Sequence, residues 1–351
     1  MLQTLNSLCF SVYLSTFEEQ KKMLEEHAGN DTPLFLSLHI SEEMDATYCQ
    51  KVEEICLWLY DRHYKIIADV SPATLKQFNA DSITELSKKL HIWAVRLDYG
   101  FTDEQTIEIG LAMPIILNAS TLSAQRGKKI AESCPLVMAM HNFYPRPETG
   151  LDDEFLYDST KQLQQAGVKV LAFIPGDTIL RGPLFEHLPT LERHRNTLPS
   201  VAFTELALCF GIDAIFLGDS GISSDEYNII SKFCKEEIIS IPCKLNPSYK
   251  SLYDKIFTCR VDSPKRLVRF AESREYSCFG QDVEPENCIE RSRGCITIDN
   301  REYKRYTGEI QLIRSSLPAD ERVNVIGTVD NNHIGLIYCI QNGKQFMLIP
   351  D

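Results

Sequence analysis

Carboxylates, arginines and amides stand where short apolar runs of this chain end. Asp69 closes one run, Asp98 closes another with Arg96 just before it, and Asn118 closes a third. A fourth run opens into His141-Asn142-Phe143-Tyr144-Pro145-Arg146-Pro147-Glu148-Thr149-Gly150. Asp177 and Arg181 follow a fifth and Asp219 a sixth, while Tyr13 and His39 end two more. Carboxyl groups in this number suit glycoside hydrolysis, in which one acid protonates the leaving oxygen and a second group acts at the anomeric carbon. Carboxyls about 5 Å apart would retain configuration, and a gap of about 6.5–9.5 Å would invert it. An acetamido sugar can instead supply its own carbonyl as nucleophile, with carboxylates orienting it. The same residues would serve a sugar-phosphate isomerase or lyase, and an inert sugar-phosphate binding protein is the third reading.

The arginines specify further. Arg96, Arg146 and Arg181 fall in these loops although the chain carries a net charge of −13. A guanidinium fork matches carboxylate and phosphate geometry, so the three together point to an anionic small molecule. The overall charge argues against nucleic acid or an anionic membrane surface as partner. Met1–Phe10 has no basic segment followed by an apolar run, so it does not read as a signal peptide, and no stretch approaches the roughly 18 apolar residues of a membrane span. The twelve cysteines are scattered without a Cys-x-x-Cys pair, which predicts reduced thiols and a cytoplasmic protein. No His-x-His marks a metal site, no glycine-rich loop marks a nucleotide, and Lys65 and Lys169 begin their runs, at the wrong end for Schiff-base chemistry. Neither metal nor cofactor is therefore expected.

The elements that must position these groups are eight runs: Leu8–Leu14, Leu34–His39, Lys65–Val70, Ile92–Asp98, Pro114–Asn118, Leu136–His141, Val168–Ile174 and Ala214–Leu217. Between them lie segments with 3.6-residue apolar spacing, such as Tyr48–Tyr60 (Val52, Ile55, Cys56, Leu59 and Tyr60 on one stripe), Phe155–Ala166 and Asp225–Phe233. Ser71 before Pro72, Thr102 before Asp103 and Glu104, and Asp225 read as helix caps. Strand–helix alternation predicts parallel strands with right-handed crossovers, and eight units match a closed (β/α)8 TIM barrel over residues 1–239. A doubly wound open sheet is the alternative, but the first turn reads Leu14-Ser15-Thr16-Phe17 without glycine. In the closed barrel the catalytic groups gather at the C-terminal ends of the strands. Residues 240–351 change pattern. Tyr253–Leu267, Gly294–Thr297, Gly308–Ile313, Arg322–Val329, His333–Tyr338 and Gln345–Leu348 read as short, mostly antiparallel strands.

The His141–Gly150 run, Pro175-Gly176-Asp177, Arg181-Gly182-Pro183-Leu184-Phe185-Glu186 and Leu188-Pro189-Thr190-Leu191-Glu192-Arg193-His194-Arg195 resemble the 6-phospho-N-acetylmuramidases, the MupG-type family. Arg96-Leu97-Asp98-Tyr99-Gly100-Phe101, Asn118-Ala119-Ser120-Thr121, Leu317-Pro318-Ala319-Asp320-Glu321-Arg322 and Asn324-Val325-Ile326-Gly327-Thr328 are similar to other parts of the same family. The resemblance implies a TIM barrel followed by a small cyclophilin-like β-barrel domain. It also implies hydrolysis of the β-1,4 bond of N-acetylmuramic acid 6-phosphate–N-acetylglucosamine in cytoplasmic peptidoglycan recycling. Some relatives carry Tyr-Pro-Glu in strand one; here Tyr13 is followed by Leu14 and Ser15, so no carboxylate serves there. Within this frame Glu148, on a proline-stiffened loop, is expected as general acid. Asp177 and Asp219 are expected as base or as holders of the acetamido group, and Asp98 as a holder of sugar hydroxyls or of Arg96. Arg96, His141, Asn142, Tyr144, Arg146, Arg181, Asn118, His39 and Asp69 are expected to bind the phosphorylated disaccharide. Glu192, His194 and Arg195 are expected to support the site from behind. The C-terminal domain is left three roles: shaping the barrel mouth, mediating a homodimer, or shielding a barrel edge.

Overall fold

The computed structural model describes residues 7–29, 31–38, 47–273 and 283–351. The apolar runs become β1 (Phe10–Val12), β2 (Pro33–Leu36), β3 (Lys65–Val70), β4 (Ile92–Leu97), β5 (Ile115–Asn118), β6 (Val137–Met140), β7 (Lys169–Ile174) and β8 (Ala214–Leu217). They pair in chain order and in parallel. A parallel bridge between Cys9 and Phe216 joins the first strand to the last. Cys9 N–H donates to the Ile215 carbonyl, and Leu217 N–H to that of Cys9. Helices follow the strands, α1 (Phe17–Glu26) after β1 through α7 (Asp153–Gln165) after β6, α8 (Pro199–Glu205) after β7 and α9 (Ser224–Glu236) after β8. This is the TIM-barrel arrangement, and the open doubly wound sheet is excluded.

Side chains alternate across each strand, so one inward residue fixes which later ones share its face. Phe35, Ile67, Ala94, Ile116, Met140 and Phe173 belong to one buried core cluster. By the same parity Ser37, Asp69, Arg96, Asp98, Asn118, Asn142 and Asp177 continue its face toward the C-terminal ends of the strands. His141 and Asp219 stand on the opposite parity. That single register step separates the expected site residues into two groups with different surroundings.

Local chemistry fixes the helix starts. Thr102 accepts from Gln105 N–H, and Gln105 returns a bond to Thr102 N–H, a capping box. Ser71 N–H donates to Thr74 Oγ1 ahead of Pro72. Asp225 is not a cap: it lies inside the first turn of α9, and Ser223 Oγ accepts Glu226 N–H instead. In α2 (Tyr48–Asp61) the buried face is Tyr48, Val52, Ile55, Cys56 and Leu59, but Tyr60 is half exposed and stacks on His91. The apolar stripe is therefore one residue narrower than its spacing suggests.

The chain divides into two compact units, Met1–Tyr227 and Asn228–Asp351. The second holds a seven-stranded mixed sheet in the order β10-β15-β9-β14-β12-β13-β11. Its strands are β9 (Ile239–Leu245), β10 (Ile256–Thr258), β11 (Leu267–Arg269), β12 (Cys295–Asp299), β13 (Ile310–Ile313), β14 (Val323–Val329) and β15 (Gln345–Pro350). Pairing is antiparallel except for β15 on β9. Two expectations fail here. Tyr253–Leu267 is not one strand: Ile256–Thr258 and the later Leu267–Arg269 pair as separate strands, and Tyr253 and Cys259 make isolated bridges. His333–Tyr338 is not a strand either: Asp330 Oδ2 accepts from Asn332 and His333 N–H, starting a 3-10 turn that leads into the helix Leu336–Cys339.

In this unit burial pushes the Asp299 carboxyl up to about 7, assisted by neighbouring Glu309. A carboxyl raised in the folded state stabilises below its unfolded value, near 3.8, and that contribution is lost as the pH climbs through 7. Asp299→Asn is thus expected to raise the melting temperature over the parent chain at pH 8 and to change it little at pH 4. Equal shifts at both pH values in thermal melts would contradict the assignment.

Candidate active site

The C-terminal strand ends carry three interlocked groups. The first crosses the mouth from β4 to β6. Arg96, 7% exposed, donates to Asn142 Oδ1 and lies 3.4 Å from Asp98 Oδ1. Asn118, between them on β5, accepts Ser120 N–H at 3.0 Å. Asp98 and Asn118 also line a cleft of about 220 Å³ with Tyr99, Phe101 and Arg126. That volume lies below the several hundred Å³ of a whole-ligand pocket and suits part of a sugar.

The second group joins β5 to β6. Ser120 Oγ lies 3.4 Å from His141 Nδ1 and 3.3 Å from the Tyr144 hydroxyl. His141 is fully buried, and burial pushes its pKa down to about 4, so the ring is neutral at pH 7. Its Nε2 has no hydrogen-bond partner among the described residues. Ser120 was not among the expected site residues, although it stands in the Asn118-Ala119-Ser120-Thr121 motif that resembles the family.

The third group is built on β6, β7, β8 and β1. The Arg181 guanidinium sits 4.8 Å from the Tyr13 ring centroid and 5.9 Å from that of Phe143. Phe143 in turn packs edge-on against Phe35 and Phe173 over the barrel core. Stacking on aromatic faces favours a cation while leaving its edge N–H groups available. Arg181 makes no ion pair among the described residues, and neither does Arg146. Of the three arginines only Arg96 pairs with a carboxylate among the described residues.

The carboxylates differ as sharply. Asp219 is fully buried, and its oxygens accept Gly176, Arg181 and Leu188 N–H at 2.9, 3.1 and 3.1 Å. Burial raises its pKa and these bonds oppose the rise. It organises the β7 loop, with His187 Nδ1 3.8 Å away. Asp177 is half-buried; its Oδ1 accepts Ser223 N–H at 2.7 Å, and its Oδ2 has no partner among the described residues. Glu148 is exposed, has a positive φ of 66° and donates its N–H to Glu192 Oε1 at 2.9 Å. A left-handed glutamate costs backbone energy and persists where its surroundings over-determine it. Its carboxylate pairs with no residue among those described, Arg146 included. Asp69 is buried and accepts from Ser37 Oγ and Leu38 N–H, at the ends of β2 and β3. His39 lies outside the described residues. Among the described residues no cluster of three His, Cys, Asp or Glu could hold a metal ion, and no helix is long and apolar enough to cross a membrane.

Close backbone approach fixes the β7–β8 corner. A Cβ on Gly218 would stand 2.2 Å from the Leu188 carbonyl oxygen and 2.9 Å from its Cβ. Gly218→Ala is expected to cost about 1–3 kcal/mol as an overpacking change. At a few degrees per kcal/mol this lowers the melting point visibly; an unchanged melt would show that the corner has room.

The family profile described as 6-phospho-N-acetylmuramidase, N-terminal, matches residues 8–232, and the one described as 6-phospho-N-acetylmuramidase, C-terminal, matches residues 224–349. Among solved structures, a conserved protein of unknown function from Enterococcus faecalis matches with a TM-score of 0.83 and 29% identity, over 98% of this chain and 97% of that one. An uncharacterized B. cereus protein matches with a TM-score of 0.78 and 22% identity, over 98% and 99% of the two chains, and supports the fold. The comparison with curated proteins returned no match.

Proposed function

We propose that this chain, which belongs to the 6-phospho-N-acetylmuramidase family, hydrolyses the β-1,4 bond of N-acetylmuramic acid 6-phosphate–N-acetylglucosamine. The observation that carries this reading is the Arg181 guanidinium, held over Tyr13 and Phe143 at the barrel mouth and paired with no carboxylate among the described residues. An unpaired cation at the catalytic end of an acidic protein asks for an anionic ligand, and a sugar phosphate supplies one. Arg146, likewise without an ion-pair partner among the described residues, is suited to the lactyl carboxylate of the same substrate.

In this reading Glu148 is the general acid that protonates the leaving oxygen, and Asp177 is the second carboxylate, acting on the anomeric side through its unoccupied Oδ2. Asp98 and Asn118 hold sugar hydroxyls in the small cleft, with Arg96 and Asn142 bracing them. Asp219 acts through the loop that it ties to Gly176, Arg181 and Leu188. His141 and Tyr144 support the β5 and β6 ends, and Asp69 the β2 end; a substrate-binding role for His39 belongs to the same proposal. No cofactor enters the scheme. We place the barrel domain at residues 1–239 and the C-terminal domain at 240–351, a boundary within one residue of the start of β9 at Ile239; the cyclophilin-like character of the second domain and any homodimer through it belong to the same proposal. A phosphorylated disaccharide of cell-wall origin implies peptidoglycan recycling in the cytoplasm.

The test is product analysis with the phosphorylated disaccharide and its unphosphorylated form. Release of N-acetylglucosamine from the first and little from the second is expected. Folded protein that cleaves neither would remove the hydrolase reading in favour of a sugar-phosphate binding protein.

A further inference from the structure

We propose that the ion pair of Glu192 with Arg195 is the positioning device that sets Glu148 for acid catalysis; this rests on the reading of Glu148 given above. Glu192 Oε1 accepts Glu148 N–H at 2.9 Å and Oε2 accepts Gly150 N–H at 2.7 Å. Arg195 Nε and Nη2 each donate to that carboxylate at 2.7 Å. The remaining donors of the guanidinium reach the carbonyls of Glu186 (2.8 Å), His187 (3.1 Å) and Arg146 (3.3 Å). One bidentate pair therefore ties the β6 loop, which bears Arg146 and Glu148, to the β7 loop, which bears Arg181.

Three further observations agree. Arg195 is 5% exposed, so its donors are spent on protein rather than water. Hydrogen bonds from Arg195, then from the two loop N–H groups, hold Glu192 down to about 2, which keeps it ionised throughout the working range. The two segments also meet backbone to backbone: Glu192 N–H donates to the Leu151 carbonyl at 3.1 Å, and a Cβ on Gly150 would stand 2.7 Å from Glu192 N. Glu148 has a positive φ, and Glu192 supplies hydrogen-bond partners for its N–H and for that of Gly150. Lysine in place of Arg195 keeps one charge but cannot bridge a carboxylate and three carbonyls with a rigid fork. Glu192 and Arg195 touch no reacting atom, so they position and do not catalyse.

The proposal predicts a loss that depends on the leaving group. Arg195→Lys and Glu192→Gln are each compared with the parent chain on the natural disaccharide and on 4-nitrophenyl N-acetylmuramic acid 6-phosphate, whose leaving group needs no proton. A displaced acid should lower kcat on the disaccharide by about 10- to 100-fold, the size expected of an ångström-scale misplacement, with KM within about threefold. On the nitrophenyl glycoside kcat should fall only a few-fold. Equal losses on both substrates, or no loss, with folded variants would overturn the proposal; Glu192→Gln serves if Arg195→Lys does not fold. Glu148→Gln on the same pair separates the two ideas. If it shows the leaving-group dependence and the Arg195 and Glu192 variants do not, only the positioning role falls. If Glu148→Gln lacks it, the acid assignment falls and takes the positioning role with it.

Discussion

Glu148→Gln is expected to lower kcat on N-acetylmuramic acid 6-phosphate–N-acetylglucosamine by about 10²–10⁴-fold, the usual contribution of a positioned general acid. Glutamine keeps the size of the side chain and its place on the loop but has no acidic proton to give. The carboxylate is exposed and pairs with no other described residue, so stability should change by no more than about 0.5 kcal/mol, as for other surface substitutions without special contacts. KM should stay close to the parent value, because the lost interaction develops only as the leaving oxygen gains charge. A large rise in KM at constant kcat would instead make Glu148 a binding residue.

Arg181→Gln should lower kcat/KM for the phosphorylated disaccharide by about 10²–10³-fold. Removing one partner of a charge-assisted contact typically costs about 2–5 kcal/mol, and each 1.4 kcal/mol is a factor of ten. The effect should be confined to the phosphorylated sugar. On the unphosphorylated disaccharide parent and variant should be similarly poor, so discrimination between the two substrates collapses. Arg181→Lys should recover only part of the loss, because an ammonium has no planar fork for phosphate and stacks less well on Tyr13. Equal losses on both sugars would mean that Arg181 holds the lactyl carboxylate or the β7 loop, and would pass the phosphate to Arg146. The backbone N–H of Arg181, which binds Asp219, survives in every variant, so the loop itself should stand.

The barrel was legible because its signals are local. Each strand is a short β-branched or aromatic run, each helix a longer 3.6-residue pattern, and the observed ends fall within a few residues of the expected ones. Where two patterns overlap, sequence misled. His333–Tyr338 is too short for its period to separate strand from helix, and the Asp330 turn decided for helix. β9 was missed as a strand because Pro242 interrupts it, yet it lies between β14 and β15 in the sheet. Tyr60 fits the helical stripe but is turned out toward His91.

For the site, sequence could say which residues stand at strand ends but not which charges cancel. Arg96, Arg146 and Arg181 look alike in the sequence; only the fold pairs Arg96 with Asp98 and leaves the other two without an ion pair among the described residues. Asp177 and Asp219 likewise end neighbouring strands, but the parity of β8 sends Asp219 to backbone N–H groups. The spacing Glu192-x-x-Arg195 was readable as an i, i+3 ion pair. Its reach into two loops was not, since those loops are brought together only when β6 and β7 pair.

Cleavage of N-acetylmuramic acid 6-phosphate–N-acetylglucosamine in ¹⁸O-labelled water, with excess chelator and mass analysis of both products, tests the central claim most directly. A hydrolase using only its own carboxylates should work in chelator, release unlabelled N-acetylglucosamine and place one ¹⁸O on the N-acetylmuramic acid 6-phosphate. An unsaturated, unlabelled sugar phosphate would identify a lyase, and loss of all turnover in chelator would identify a metal-dependent enzyme; either result would contradict the account.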